Sequence, residues 1–206
     1  MQTTSSPPGQ ACARPEERPT RRIEGFAVAS GAWATTIPFP SPLAYSYSYA
    51  LRYAEGLVLV DLGWDADDAW QALLAGLGRA GASLDEVRGV VATHAHPDHY
   101  GLAARIREHT SAWIGAHPGE RAQIRVDADE RRARLVEITD WLRDCGVPGP
   151  LQAELDAVLP TIEPDVELED GTPVPGTDGS LVPVLTPPHG GTPVLPRPRE
   201  EPPADW

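Results

Sequence analysis

A short, branched apolar run, Val87-Arg88-Gly89-Val90-Val91-Ala92, leads without a break into Thr93-His94-Ala95-His96-Pro97-Asp98-His99. This junction constrains the chain more than any other feature. The run has the length and branching of a buried strand. It therefore places the His-rich segment at a strand's C-terminal end, where α/β folds build their sites. Three of the chain's six histidines and a carboxylate fall between His94 and His99. Neutral imidazole nitrogen and carboxylate oxygen are preferred ligands for zinc and similar ions. In extended backbone, residues i and i+2 point the same way, so His94, His96 and Asp98 are expected to converge on one side. Pro97 holds His96 extended, and His99 comes round the turn just before a helix. One ion at His94 and His96 and another at Asp98 and His99 fit that arrangement. A solvated His-rich turn is the plain alternative, and the ligand spacing argues against it.

The rest of the chain supplies a frame for the cluster. Residues 23–29, 33–39 and 45–53 read as strands. Tyr45, Tyr47, Tyr49, Leu51 and Tyr53 alternate with Ser46, Ser48, Ala50 and Arg52. Period two predicts a half-buried strand with the tyrosines in a hairpin core. Glu55-Gly56 reads as a turn and 57–60 as a buried strand. A helix is expected over 65–80, with Asp65 as N-cap and Trp70, Leu73, Leu74 and Leu77 as its apolar face. Ser83 and Glu86 have capping-box spacing. Further helices are expected over 102–109, from Pro118, over 129–145 and over 151–159, with strands at 112–116, 166–168 and 181–185. Trp141, spaced with Leu135 and Ile138, is expected in the core. His109 reads as an exposed helix-end residue and His117 as a packing or rim residue. Strands followed by alternating helices and strands argue an α/β class domain.

The 206 residues suit about one domain. Ten of the 23 prolines fall in 171–206 and four in 1–20, so folding is expected in between. The expected division is a disordered tail over 1–22, a domain over 23–189 and a Pro-rich disordered tail over 190–206. Net charge is −13, from 17 basic and 30 acidic residues, and every basic residue is Arg. Such a balance disfavours nucleic-acid binding. Cys12 and Cys145 form neither a disulfide framework nor a CxxC metal site. No signal-like or membrane-spanning apolar run is visible. The expected setting is the cytoplasm, and the expected partner is a small-molecule substrate, with no nucleic acid and no membrane.

Thr93-His94-Ala95-His96-Pro97-Asp98-His99, followed by Gly101, resembles the HxHxDH signature of the metallo-β-lactamase superfamily. Residues 57–63 resemble the strand and Asp-x-Gly turn that precede the first long helix of that family. Thr186-Pro187-Pro188-His189 resembles its TPxH segment. Together these cover about residues 23–189, and the general style leans toward glyoxalase II-like thioester or ester hydrolases. The resemblance implies a metallo-β-lactamase αβ/βα sandwich. It implies His94, His96 and His189 on a first metal, and Asp98 and His99 on a second. Zinc is the implied ion, with iron also compatible with the ligand set. A water activated by the metal would attack a carbonyl, with Asp98 orienting it and accepting its proton. Asp61 would stand behind the metal loop; a turn-forming Asp before Gly63 is an equal reading.

The family's second half ordinarily adds a Gly-Asp, whose carboxylate bridges both metals, and a final histidine. Neither a Gly-Asp pair nor a histidine follows His189 here. The N-terminal half is thus expected to be present and the C-terminal half largely missing, with one zinc site and an incomplete second. The expectation is a metal-dependent hydrolase impaired by truncation. A non-catalytic remnant or interaction module, and iron-dependent oxygen or sulfur chemistry, are the alternatives. The change from motif to Pro- and Arg-rich sequence suggests an out-of-frame tail. Sequencing the locus tests this: a downstream frame encoding a Gly-Asp strand and a last histidine is the expected result.

Overall fold

The computed structural model describes residues 24–39, 45–124, 133, 136–137, 139–141, 143–146, 162–186 and 194–198. Its centre is a mixed sheet of seven strands in chain order. They are β1 (Gly25–Ala29), β2 (Ala32–Pro38), β3 (Tyr45–Tyr53), β4 (Gly56–Val60), β5 (Val87–Val91), β6 (Trp113–Ala116) and β7 (Val166–Glu167). The first four are antiparallel neighbours. From β4 to β7 the pairing is parallel. The parallel half needs crossovers, and helices provide them. Helix α1 (Asp67–Arg79) joins β4 to β5, and α2 (Pro97–Tyr100) and α3 (Ala103–His109) join β5 to β6. Helix α4 (Pro118–Ile124) follows β6. A separate antiparallel pair joins β8 (Leu181–Leu185) to β9 (Val194–Pro198). Val194–Pro198 falls where the sequence predicts a structureless tail, and its ladder with β8 corrects that for these five residues.

Each side of the sheet has its own apolar cluster. The larger gathers Leu57 and Leu59 of β4, Val87 and Val90 of β5 and Ile114 of β6 against Trp70, Leu73, Leu77, Leu102 and Ile106 from the helices. The smaller places Val58, Val60 and Val91 against Leu168, Val174 and Leu181. Successive residues of β4 therefore bury on opposite faces, which is why its sequence is apolar without alternation. Burying a Leu or Val side chain in full contributes roughly 1.5–3 kcal/mol.

The tyrosine stripe is not the buried face of β3. Ser48 and Ala50 are the buried residues of that strand, while Tyr45 and Tyr47 are half-buried and Tyr49 is 36% exposed. Helix α1 packs closely on β2 on the face that carries the buried β3 residues. A methyl group at Gly76 of α1 would overlap the side chain of buried Thr35. Ser48, which pairs with Thr35 across the ladder, shares that covered face, and the tyrosine rings project from the opposite one. There they pack edge-on with each other and with Phe26: Tyr45–Tyr47 at 5.3 Å and Phe26–Tyr47 at 6.2 Å. Phe26 remains 44% exposed.

Two other expectations change, and a third is not tested. Helix α1 begins at Asp67 with Ala66 as N-cap and no side-chain cap. Asp65 instead accepts the Arg105 Nε–H at 2.8 Å, and Asp67 accepts from the same guanidinium. Trp141 is 63% exposed and is not core. The helix expected over 151–159 lies outside the described residues. The capping box at Ser83 and Glu86 is present, on a single 3-10 turn.

The seam between α1 and β2 makes opposite predictions for two glycines of one helix. Gly76→Ala is expected to lower stability by about 1–3 kcal/mol, because overpacking outweighs the gain in helix propensity. At Gly78 an added methyl meets nothing within 4 Å. Gly78→Ala is expected to raise stability by up to about 1 kcal/mol. Urea unfolding of both variants measures the signs.

Candidate metal centre

The chain leaves β4 at Val60 and β5 at Val91, and the two exits lie side by side. Asp61 N–H donates to the Val91 carbonyl at 2.9 Å, and Leu62 N–H to the His99 carbonyl at 2.8 Å. Asp61 has a φ of +57°, a left-handed conformation that Asp tolerates better than most residues. This bend aims its carboxylate, only 6% exposed, under the His-rich loop. The turn-forming and supporting readings of Asp61 are therefore both realised. Ser48 of β3 holds the bend by donating its hydroxyl to the Asp61 carbonyl at 2.7 Å.

The carboxylate is fully used. Asp61 Oδ1 accepts the Thr93 N–H at 2.8 Å. The Thr93 hydroxyl lies 3.0 and 2.9 Å from the two oxygens. His99 Nδ1 lies 2.7 Å from Asp61 Oδ2. These contacts fix ring protonation. An ionised carboxylate only accepts, so His99 carries a proton on Nδ1. Thr93 gives its one hydroxyl proton to Asp61. It can then only accept from His94 Nδ1, 3.0 Å away, which leaves the His94 Nε2 lone pair free for a ligand.

The loop does not run extended through Asp98, as the i, i+2 argument requires. His96 is extended (φ −73°, ψ 151°) and caps α2, whose first residue is Pro97. Pro suits that first helical position because no helical bond needs its N–H. Asp98 and His99 thus sit on a helical turn, not at the end of a strand. Side-chain contacts link these residues in another way. The rings of His94 and His96 are 4.5 Å apart, and those of His94 and His99 are 4.0 Å apart. Asp98 Oδ2 is 3.4 Å from His99 Nε2.

Electrostatics divides the histidines. Burial, helped by the neighbouring imidazoles, holds His94 below the ordinary histidine range, so it is neutral and ligand-ready. Burial also opposes charge on His99, but bonding to Asp61 and Asp98 overcomes it and raises its pKa to about 10. Burial would raise Asp98; the His99 hydrogen bond and charge outweigh it and hold this carboxylate low.

His94, His96, Asp98 and His99 are thus brought together, and His189 lies outside the described residues. Among the described residues, no three His, Cys, Asp or Glu side chains already stand as a group that could hold a metal ion. His117 stays apart: its Nδ1 accepts the Gly119 N–H at 3.1 Å at the start of α4. His109 is exposed at the end of α3, with its ring 5.2 Å from Trp70. Sequence reasoning passes over Thr93, Ser48 and Glu120. Glu120 is 1% exposed and accepts the Ala95 N–H at 2.8 Å. Its one sequence signal is the spacing to buried Ile124, four residues on, which puts both on the inner face of α4.

The fold is a mixed sheet backed by helices, with a His-rich loop at the ends of its parallel strands. The model of the metallo-beta-lactamase superfamily matches residues 42–200. The chain belongs to that superfamily. A metallo-beta-lactamase family protein of Thermus thermophilus is 27% identical, with a TM-score of 0.65, over 82% of this chain and 56% of its own. A beta-lactamase domain protein of Burkholderia ambifaria is 20% identical (TM-score 0.63), over 85% and 51%. The subclass B3 metallo-beta-lactamase BJP-1 of Bradyrhizobium japonicum is 20% identical (TM-score 0.58), over 82% and 53%. The chain thus spans about half the length of these solved relatives. No curated protein matches it. Among the described residues, no helix is long and apolar enough to cross a membrane.

Asp61 should be the most sensitive single position in this region. Asp61→Ala is expected to cost about 3–5 kcal/mol, by removing one of the two carboxylates that face His99 and the acceptor of the buried Thr93 N–H, and by straining a left-handed bend. Asp61→Asn keeps an acceptor and tolerates the bend, and is expected to cost less. Denaturant unfolding of the metal-free variants ranks them.

Proposed function

We propose that this chain is a metal-dependent hydrolase that binds zinc through His94, His96 and His189 and cleaves an ester or thioester of a small molecule. The observation that carries the reading is the packing of three imidazoles and a carboxylate at the ends of parallel strands, with one imidazole held neutral and its Nε2 free. The donor set fits zinc in kind: imidazole nitrogen with carboxylate nearby. His189 would complete the first site, and Asp98 with His99 would make only an incomplete second. Bound zinc supplies Lewis acidity that brings a water to deprotonation near neutral pH.

The remaining work falls to the chain itself. Asp98 is ionised, so its oxygens can orient that water and take its proton. Asp61 fixes the His99 ring from behind, and Thr93 passes the same constraint to His94. The net charge of −13 favours small substrates over polyanions. The thioester class rests on the glyoxalase II-like style of the motif.

Zinc analysis and a thioesterase assay on the purified chain test the proposal. About one zinc per chain is expected, as for a three-histidine site, together with thioester hydrolysis, both lost in His96→Ala. A native chain that takes up no zinc overturns it. Iron uptake without hydrolysis points instead to oxygen or sulfur chemistry on the same ligands.

A further inference from the structure

Glu120 is a second carboxylate buried beneath the His-rich loop, and the hydrolytic step has no use for it. It is the third residue of α4 and 1% exposed. Its Oε2 accepts the N–H of Ala95, itself 4% exposed, at 2.8 Å. Ala95 lies between His94 and His96. At that point the chain has left β5, which ends at Val91, and has not entered α2, which begins at Pro97. Neither a strand ladder nor a helix supplies an acceptor for this amide, and a buried amide without one is strongly disfavoured. Glu120 Oε2 supplies that acceptor.

The loop is thus held at alternate peptides. Asp61 takes the Thr93 N–H from the β4 side, and Glu120 takes the Ala95 N–H from the α4 side. His94 and His96 flank the second clamp, with rings edge-on at 4.5 Å. We propose that Glu120 is a positioning residue: by fixing the peptide between His94 and His96, it sets the separation of two imidazoles that share one metal. It does not touch the ion. The inference rests on the reading of this loop as a metal site.

Two measurements on the full chain test it. The first is zinc affinity by chelator competition. Glu120→Ala is expected to bind about 10–100-fold more weakly, the usual effect of removing a group that supports a ligand. Glu120→Gln keeps an amide oxygen able to accept from Ala95, so its affinity is expected to stay within about threefold of the native chain. The second is hydrogen exchange at the Ala95 amide in the metal-free chain, expected to be slow in the native protein and fast in Glu120→Ala. If Glu120→Ala does not fold, Glu120→Asp, with its acceptor one methylene short, replaces it in both.

Unchanged zinc affinity in the Ala or Asp variant overturns the proposal, and so does a Gln variant as weak as Ala. A native chain that binds no zinc removes the metal reading alone. The clamp is then judged by exchange, and fast exchange at Ala95 in the native chain overturns it.

Discussion

The structure around the site depends on one buried charge, the Asp61 carboxylate. It accepts from a backbone amide, a hydroxyl and an imidazole, all within 3.0 Å. An unpaired carboxylate at 6% exposure is not tolerable, so these partners are obligatory. Each partner brings an element with it. Thr93 brings the end of β5, His99 brings α2, and Ser48 anchors the bend to β3. The need to satisfy buried Asp61 thus fixes three neighbouring segments at once. The His99 charge, raised by Asp61 and Asp98 against its own burial, belongs to the same balance.

How much of the fold is legible in the sequence depends on the range of the forces involved. The buried strand 57–60, the run into His94 and the helix opening at Pro118 are local patterns, and they appear where expected. The face of β3 is misjudged because period two shows that two faces differ and not which one meets a helix. Tyr45, Tyr47 and Tyr49 look like core, yet Ser48 and Ala50 are the buried residues, on the face where α1 approaches β2 at Gly76. That approach is a tertiary fact, and it overrides side-chain size. Trp141 shows the same limit on a helix.

The site divides in the same way. The identities of His94, His96, Asp98 and His99 are visible because ligand chemistry restricts residue type and spacing. Their geometry is not. Pro97 suits an extended segment, but it also suits the first turn of a helix, and here it starts one. Asp98 and His99 therefore reach the cluster on a helical turn. Thr93, Ser48 and Glu120 escape a reading of the sequence because their roles are set by partners distant along the chain. Ser48 bonds a residue 13 positions away, and Glu120 one 25 away.

One consequence concerns the requirements for forming the loop. Its described anchors lie between β3 and α4: Ser48, Asp61, Thr93, Glu120 and the backbone bonds of Leu62 and Leu102 to His99 and Gly63. Tyr100 reaches further, donating its hydroxyl to the Ile162 carbonyl at 2.6 Å. None of these contacts involves a residue beyond 162. The described anchors of the loop thus run from β3 to Ile162. The peptides around His94 and His96 are held by groups from the first part of the sheet and from α4, through Asp61 and Glu120. A loop whose backbone is held in this way from both sides costs less to order when it binds any ligand.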